Sequence, residues 1–380
     1  MTSPGIIMRP AEVNPMTRQT GNAAEAAVLE APGLLRMREL PVPPGATDTA
    51  LLRPELVGIC GTDCKIYTGA ITIPYPIILG HEIVGVLSEV GQVAEERMGV
   101  RAGDRVVAET SVPCWSCRHC RSGDYRFCRR RRAYGINTPI TEPPGLWGGL
   151  AEAMHIAPGS ILHRVPAEMS PRRALVATLL ANGVEWTQNL GGLRVGDTIV
   201  IQGCGPQGLA AVVAAREAGA RMVVVTGLER DAARLALAAR LGADVTIVAD
   251  RDEVLERVMG VTDGDGADVV LDVTGAPASP ATSAGLARIR GTLVLAGLSG
   301  GRASELWLDD VVNREIRIQG AFVKGESAFR SALVLAARLP ADHAVDEIVS
   351  HVFPLAAADE AIAAACTDRQ PDFIKAAIAI

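Results

Sequence analysis

The amino-acid sequence predicts an α/β fold, a doubly wound parallel sheet, coupled to a second region that is mostly β. Three observations carry this. Between about residues 195 and 320, short apolar runs alternate with Ala-rich helical segments, the pattern of parallel strands linked by right-handed crossovers. From about 26 to 168, Gly and Pro punctuate short β-type runs. The 380 residues exceed a typical single domain by two to three times, so two domains are expected.

The elements follow in order. The first stretch opens with Pro4, Gly5, Pro10 and Pro15, and residues 1–25 read as a flexible tail. Ile83 to Leu87 and Arg105 to Val107 are short strands of the β region. Thr198 to Gln202 is an apolar strand, Leu209 to Ala218 a helix, Met222 to Val225 a strand and Ala232 to Leu241 a helix. Ala267 to Val273 and Thr292 to Ala296 are two further strands bounded by glycines. The apolar run Ile374 to Ile380 ends the chain as a strand that can rejoin the first domain.

Composition narrows the function classes. With 48% hydrophobic and 21% charged residues the chain is not disordered, and 3% aromatic residues leave little for base stacking. Lys+Arg 37 against Asp+Glu 43 gives a net charge of -6, which argues against nucleic-acid backbone binding. No apolar run has the length of a signal peptide or a membrane span, so a cytoplasmic protein without a membrane partner is expected. Eight cysteines, four of them within fifteen residues, suit reduced thiolates holding metal better than a disulfide framework.

Those four are Cys114, Cys117, Cys120 and Cys128. Two-residue gaps let neighbouring thiolates converge on one tetrahedral ion, and the longer gap lets the chain return to close the shell. Sulfur then fills every position, the mark of a structural zinc. An iron–sulfur cluster and unliganded cysteines are the competing readings. The basic run Arg129 to Arg132 reads as solvated surface, with an interface or anion contact as the alternative.

A second constellation joins Cys60, in Gly58-Ile59-Cys60-Gly61-Thr62-Asp63, to His81 and Glu82. A thiolate, an imidazole and a carboxylate brought together by loops suit an open zinc site whose vacant position polarises an alcohol or carbonyl oxygen. Taken singly, Cys60 also reads as a small buried residue and His81 as a satisfied loop histidine.

Gly203-Cys204-Gly205-Pro206-Gln207-Gly208 follows a strand and opens a helix, the context in which G-x-G-x-x-G cradles a dinucleotide pyrophosphate. Helix N-terminal amides then face the anion. The next strand should end on the residue that reads the adenosine ribose, which here is Gly227. Absence of an acid there, with Arg230 nearby, favours a 2′-phosphate, whereas Glu229 and Asp231 oppose one. NAD and NADP both stay open.

Together these residues, with Gly103-Asp104-Arg105-Val106, the Asp268 to Gly275 strand and turn, and Gly291 to Gly297, resemble the zinc-containing medium-chain alcohol and polyol dehydrogenases. The resemblance covers nearly the whole chain from about residue 26. It implies a GroES-like catalytic domain (26–170) with a structural-zinc lobe (about 112–132), an inserted Rossmann domain (171–325) and a return to the catalytic domain (326–380). It also implies an active site in the cleft between them, zinc and NAD or NADP as cofactors, and dimers or tetramers. Cys60, His81 and Glu82 would be at the catalytic zinc, and Asp63 would hold the His81 ring. Thr62 would hand on the alcohol proton, and Lys65 would end that relay or touch the nicotinamide ribose. Leu298, just after Gly297, would join Gly203, Gly205, Pro206, Gln207, Gly208, Gly227 and Arg230 at the cofactor.

One departure stands out. Relatives supply a further Cys or Glu ligand about 25 residues before the first glycine of the turn, where this chain reads Leu175-Val176-Ala177-Thr178-Leu179-Leu180-Ala181-Asn182. Only a shifted helix would bring Asn182 or Glu185 to the metal. The reading is therefore a zinc-dependent oxidation of a secondary alcohol or polyol, or reduction of the ketone. A same-fold reductase without catalytic zinc and a non-catalytic nucleotide-binding protein are the rivals. Trp147 and Trp186 either line the substrate cleft or pack, and Cys64, Cys204 and Cys366 carry no role.

Overall fold

The structure is a computed structural model that describes residues 22–366 and 370–380. The expected N-terminal tail lies outside the described residues as far as position 21. Residues Ala23 to Glu25, expected in that tail, belong to the strand Ala23–Ala31, which pairs antiparallel with Leu34–Pro41. Its Ala-rich sequence has weak β propensity, and it is held by burial of Ala24, Ala26, Ala27, Val28 and Leu29.

The β region is built around the strand Ala50–Gly58. Glu82–Val90 and the C-terminal strand Ala376–Ala379 pair antiparallel with it, and Met154–Ile156 adds a short third partner. Arg105–Ala108 and Leu162–Arg164 extend the sheet beyond Glu82–Val90, and His351–Pro354 lies parallel to Ala376–Ala379 at the other edge. A chain end more than 300 positions from Gly58 thus lies beside it, with Ala377 opposite Gly58.

The second sheet is wholly parallel, in the order Val245–Val248, Met222–Gly227, Thr198–Gln202, Ala267–Asp272, Ala287–Leu295, Arg317–Gly320. Thr198–Gln202 is buried throughout, as a central strand covered on both faces must be. The strand order reverses direction at Thr198–Gln202, between Met222–Gly227 and Ala267–Asp272, and the loops at the C-terminal ends there form the expected crevice for a nucleotide.

The helix Pro171–Val184 joins the two regions. Ser170 caps it by accepting from the Arg173 amide at 3.1 Å, and Pro171 takes the first turn, where no amide partner is needed. Nearly every residue is buried, so it shows no amphipathic stripe. The helices Pro206–Glu217 and Glu326–Arg338 pack on it. Phe329, Ala332 and Leu333 of the latter share one core cluster with residues of both sheets, and the Phe329 ring stacks on His163 of Leu162–Arg164 with centroids 4.6 Å apart. That helix is amphipathic, with Ala328, Phe329, Ala332, Leu333, Leu335 and Ala336 on its buried side.

Two sequence expectations change. Cys64 and Cys366 form a disulfide, their Cα atoms 5.4 Å apart, whereas every cysteine was expected to be reduced. The separation of 302 residues left no spacing signal. Trp147 and Trp186 are both core residues. Trp147 donates to the Glu142 carbonyl at 2.7 Å and meets His155 edge-on, so neither indole lines a cleft. Among the described residues no helix is long and apolar enough to cross a membrane.

Candidate active site and metal centres

The strand Ala50–Gly58 delivers Cys60 as the cap residue of the short helix Gly61–Tyr67, and the adjoining strand begins at Glu82, directly opposite Gly58. The antiparallel register therefore places Cys60, His81 and Glu82 side by side, with Sγ, a ring nitrogen and a carboxylate oxygen all within 4.8 Å of one another. Glycine at position 58 leaves room for this corner, because a Cβ there would displace the Glu82 carboxylate and crowd Lys375.

Asp63, fully buried, organises this corner. Its Oδ2 accepts from the Cys60 amide at 2.8 Å, its Oδ1 from the Gly80 amide at 3.3 Å, and Oδ1 also lies 3.3 Å from His81 Nδ1. The carboxylate fixes the ring by Nδ1 and leaves Nε2 as the nitrogen available to a metal. Thr62 Oγ1 is 4.0 Å from Cys60 Sγ, and Lys65 Nζ reaches the Leu298 carbonyl at 3.4 Å. That last contact ties the helix of the β region to the loop after Ala287–Leu295 in the parallel sheet.

A residue the sequence did not single out completes the site. Lys375 is buried, its Nζ 2.5 Å from Glu82 Oε2 and 2.9 Å from the Ile59 carbonyl that accepts its proton. Its one sequence signal is a lone lysine inside the apolar run Ile374 to Ile380. Burial drives the Glu82 carboxyl up, yet the Lys375 ammonium and then His81 hold it below the ordinary range. Burial likewise pushes the Cys60 thiol up, and the Glu82 charge adds to that, but His81 and Lys375 outweigh both and the thiol sits below its ordinary value. Burial pulls His81 down while Asp63 and Cys60 raise it well above the usual imidazole range. These directions all favour the charged forms, and a His81 ring that carries both protons must release one to act as a ligand.

The donor set fits zinc. Glu82 Oε2 is buried without a well-aligned hydrogen bond, and soft thiolate with imidazole is the combination this ion takes. The residues at the missing-ligand position do not join in. Thr178 Oγ1 donates to the Leu175 carbonyl at 2.7 Å, Asn182 binds Gln207 and the Lys324 amide, and Glu185 pairs with Arg126 and Asn189.

Because Glu82 is buried, losing its partner has a large cost. Lys375→Met is expected to destabilise the zinc-free protein by about 3–5 kcal/mol, since removing one member of a buried pair strands the other charge. Glu82 has a depressed pKa, so its contribution is present above the unfolded carboxyl value and fades as pH falls through the folded one. Urea unfolding of both proteins at pH 7 and pH 4 checks this, and the difference between them should shrink at the lower pH.

Cys114, Cys117, Cys120 and Cys128 converge as well. Sγ atoms of Cys117 and Cys120 are 3.5 Å apart, and the Cys114–Cys120 and Cys117–Cys128 pairs are each 4.0 Å apart. A tetrahedral ion at about 2.3 Å from each sulfur would set them about 3.8 Å apart, so the cradle matches zinc. Hydrogen bonds from Ser116 draw Cys114 down to about 5, while burial and then neighbouring sulfurs push Cys120 up to about 12, a split that a shared cation would remove. The basic run after them is surface: Arg129 and Arg130 are exposed, Arg131 lies over Phe322, and Arg132 lies over Trp147 and pairs with Glu142 at 3.3 Å.

The glycine turn has the expected context. Gly203 has φ +103°, the left-handed region, as the chain leaves Thr198–Gln202, and Pro206 starts the helix Pro206–Glu217. A Cβ at Gly205 would meet nothing within 4 Å, which leaves open space where a pyrophosphate would come close. A Cβ at Gly208 would overlap the Gly203 carbonyl. Gly208→Ala is therefore expected to cost about 1–3 kcal/mol of stability and to weaken dinucleotide binding, read by thermal unfolding and NADH fluorescence titration. Gly227 ends Met222–Gly227, and Arg230 follows it on an exposed turn.

Residues 46–167 match the model of the alcohol dehydrogenase GroES-like domain, and residues 206–338 match that of the zinc-binding dehydrogenase family. The chain belongs to the zinc-containing medium-chain dehydrogenases. Among relatives in this family, a probable alcohol dehydrogenase of Mycobacterium tuberculosis is 42% identical over 322 residues, covering 83% of this chain and 87% of the relative. The erythritol/L-threitol dehydrogenase of Mycolicibacterium smegmatis is 31% identical over 357 residues, 90% and 93% of the two chains. The crystal structure of an alcohol dehydrogenase from Thermotoga maritima superposes with a TM-score of 0.86 at 27% identity, covering 94% of this chain and all of the other. A zinc-binding dehydrogenase from Sinorhizobium meliloti, solved bound to NADP, superposes with a TM-score of 0.83 at 27% identity over 95% of this chain and all of that one.

Proposed function

We propose that this medium-chain dehydrogenase transfers hydride between NAD(P) and a secondary alcohol or polyol, with the corresponding ketone as the other substrate. The observation that carries the reading is the convergence of Cys60, His81 and Glu82 beside Thr62 and the Lys65–Leu298 contact, which joins the catalytic corner to the nucleotide crevice. Zinc, where these ligands hold it, supplies Lewis acidity toward the substrate oxygen. Asp63 holds the His81 ring and the Cys60 amide in place. Thr62 is the hydroxyl that passes the substrate proton outward, and Lys65 ends that path at the cofactor. Lys375 keeps Glu82 charged and near the metal without fixing it as a rigid ligand. The glycine turn, with Gly203, Gly205, Pro206, Gln207 and Gly208, positions the pyrophosphate, and Leu298 faces the nicotinamide side.

The reading also takes residues 26–170 with the return segment 326–380 as the catalytic domain, a cytoplasmic setting, small molecules as the only partners, and a homodimer or homotetramer. What supports the last is the edge strand Arg317–Gly320, whose outer side has no neighbour among the described residues, with Trp307, Leu308 and Val312 exposed just before it.

A second reading, the same fold working without catalytic zinc, is favoured by one observation, the inward commitment of Thr178, Asn182 and Glu185 to protein partners. A panel of secondary alcohols and polyols, followed by nicotinamide absorbance with both coenzymes, tests the main reading. Turnover that is lost on chelation and regained with zinc is expected; turnover indifferent to chelation would favour the second.

A further inference from the structure

We propose that Cys204 decides the coenzyme: its buried thiol keeps position 227 a glycine, and with Arg230 unpaired on the following turn the chain takes NADP in preference to NAD. The proposal rests on the dehydrogenase reading above and names the coenzyme of that same site.

An enzyme that selects NAD places a carboxylate at the end of the second strand, where it accepts from the ribose hydroxyls and repels a 2′-phosphate. Here that position is Gly227. A Cβ built on it would lie 2.5 Å from Cys204 Sγ and 3.0 Å from Leu235 Cδ2, so no side chain fits while the thiol is in place. Cys204 itself is 2% exposed and packs in the main core, so it has nowhere to retreat. Burial also pushes its thiol up to about 12, which keeps it neutral and uninvolved in the charge balance.

The acids nearby are each engaged. Asp231 Oδ2 accepts from the Leu228 amide at 3.1 Å, and its Oδ1 pairs with Arg234 at 2.9 Å. Glu229 is in an ion pair with Arg251, and Asp250 accepts from the Glu229 amide at 2.9 Å. Arg234 turns its other nitrogens to the Phe373 carbonyl. Arg230 is exposed and has no ion pair or hydrogen bond among the described residues. The two acids that opposed a 2′-phosphate in the sequence are thus held by arginines, while Arg230, three residues past Gly227, meets no such partner among the described residues. A guanidinium suits a phosphate monoester through paired hydrogen bonds.

Calorimetric titration of the zinc-loaded protein with NADPH and NADH tests this without a known alcohol. NADPH is expected to bind at least about tenfold more tightly, and Arg230→Ala to weaken NADPH by about tenfold while leaving NADH within about twofold. The NADPH preference should fall as salt is raised. Gly227→Asp alone should weaken both coenzymes, because the new side chain meets the thiol. Cys204→Gly/Gly227→Asp should restore NADH binding and reverse the preference. Equal or tighter NADH binding by the unmodified chain, or an Arg230→Ala loss shared by both coenzymes, would overturn the proposal. So would Gly227→Asp acting alone as well as the double variant. Binding of neither coenzyme would overturn the dehydrogenase reading itself and the proposal with it.

Discussion

Cys60→Ser is expected to lower kcat/KM for an oxidisable secondary alcohol by about a thousandfold or more, the several kcal/mol that a Lewis acid supplies at the reacting oxygen. A serine hydroxyl stays neutral where a thiolate is stabilised by His81 and Lys375, and Thr178, which donates to the Leu175 carbonyl, is not placed to replace the lost ligand. Coenzyme binding should persist, because the glycine turn belongs to the other sheet. Kinetics together with an NADPH titration separate the two effects. A fall in activity of less than tenfold with coenzyme binding intact would mean that Cys60 is not a ligand in the working enzyme.

Cys117→Ser is expected to damage the fold of the lobe first and activity second. That lobe has a four-residue helix, Arg118–Arg121, a single 3-10 turn, Tyr125–Phe127, and a small apolar cluster in which Tyr125 packs among Cys120 and Cys128 with the edges of Cys114, Cys117 and Ile161. With so little apolar area to order the segment, a metal held by the four thiols is expected to act as its staple, and its loss should cost several kcal/mol. The effect should spread inward. Arg126, carried by this lobe, pairs with the buried Glu185 and donates to the Val323 carbonyl at 2.9 Å, and Tyr125 donates to Glu109, which also holds His163. A lower unfolding temperature and rapid proteolysis between residues 112 and 132 are the expected signs. An unchanged melting curve would show that the four thiols need no ion.

Much of this was legible in the sequence because the informative residues were close together. The C-x2-C-x2-C-x7-C spacing forms a four-sulfur cradle, and the strand, glycine turn and Ala-rich helix around Gly203 have their expected order. Cys60 and His81 could be linked only as motifs, and their meeting depends on the register that sets Gly58 opposite Glu82. What the sequence hid was long range. Lys375 reaches Glu82 because the last strand inserts beside Ala50–Gly58, and Cys64 meets Cys366 across 302 residues. The Cys204–Gly227 contact was hidden for another reason: a glycine reads as absence of a side chain, and only packing shows what took the space. Trp147 and Trp186 looked available for a substrate cleft because large aromatics serve both core and site, and burial alone separates the two.

The central claim is that two distinct ions work in this chain, one stapling the lobe and one between Cys60, His81 and Glu82. Elemental analysis of purified, active protein, with turnover measured on the same sample, tests it directly. The account predicts two zinc ions per chain, falling to one in Cys60→Ser with activity lost. Full turnover from protein carrying a single zinc, with that ion retained when Cys60 is replaced, would contradict it.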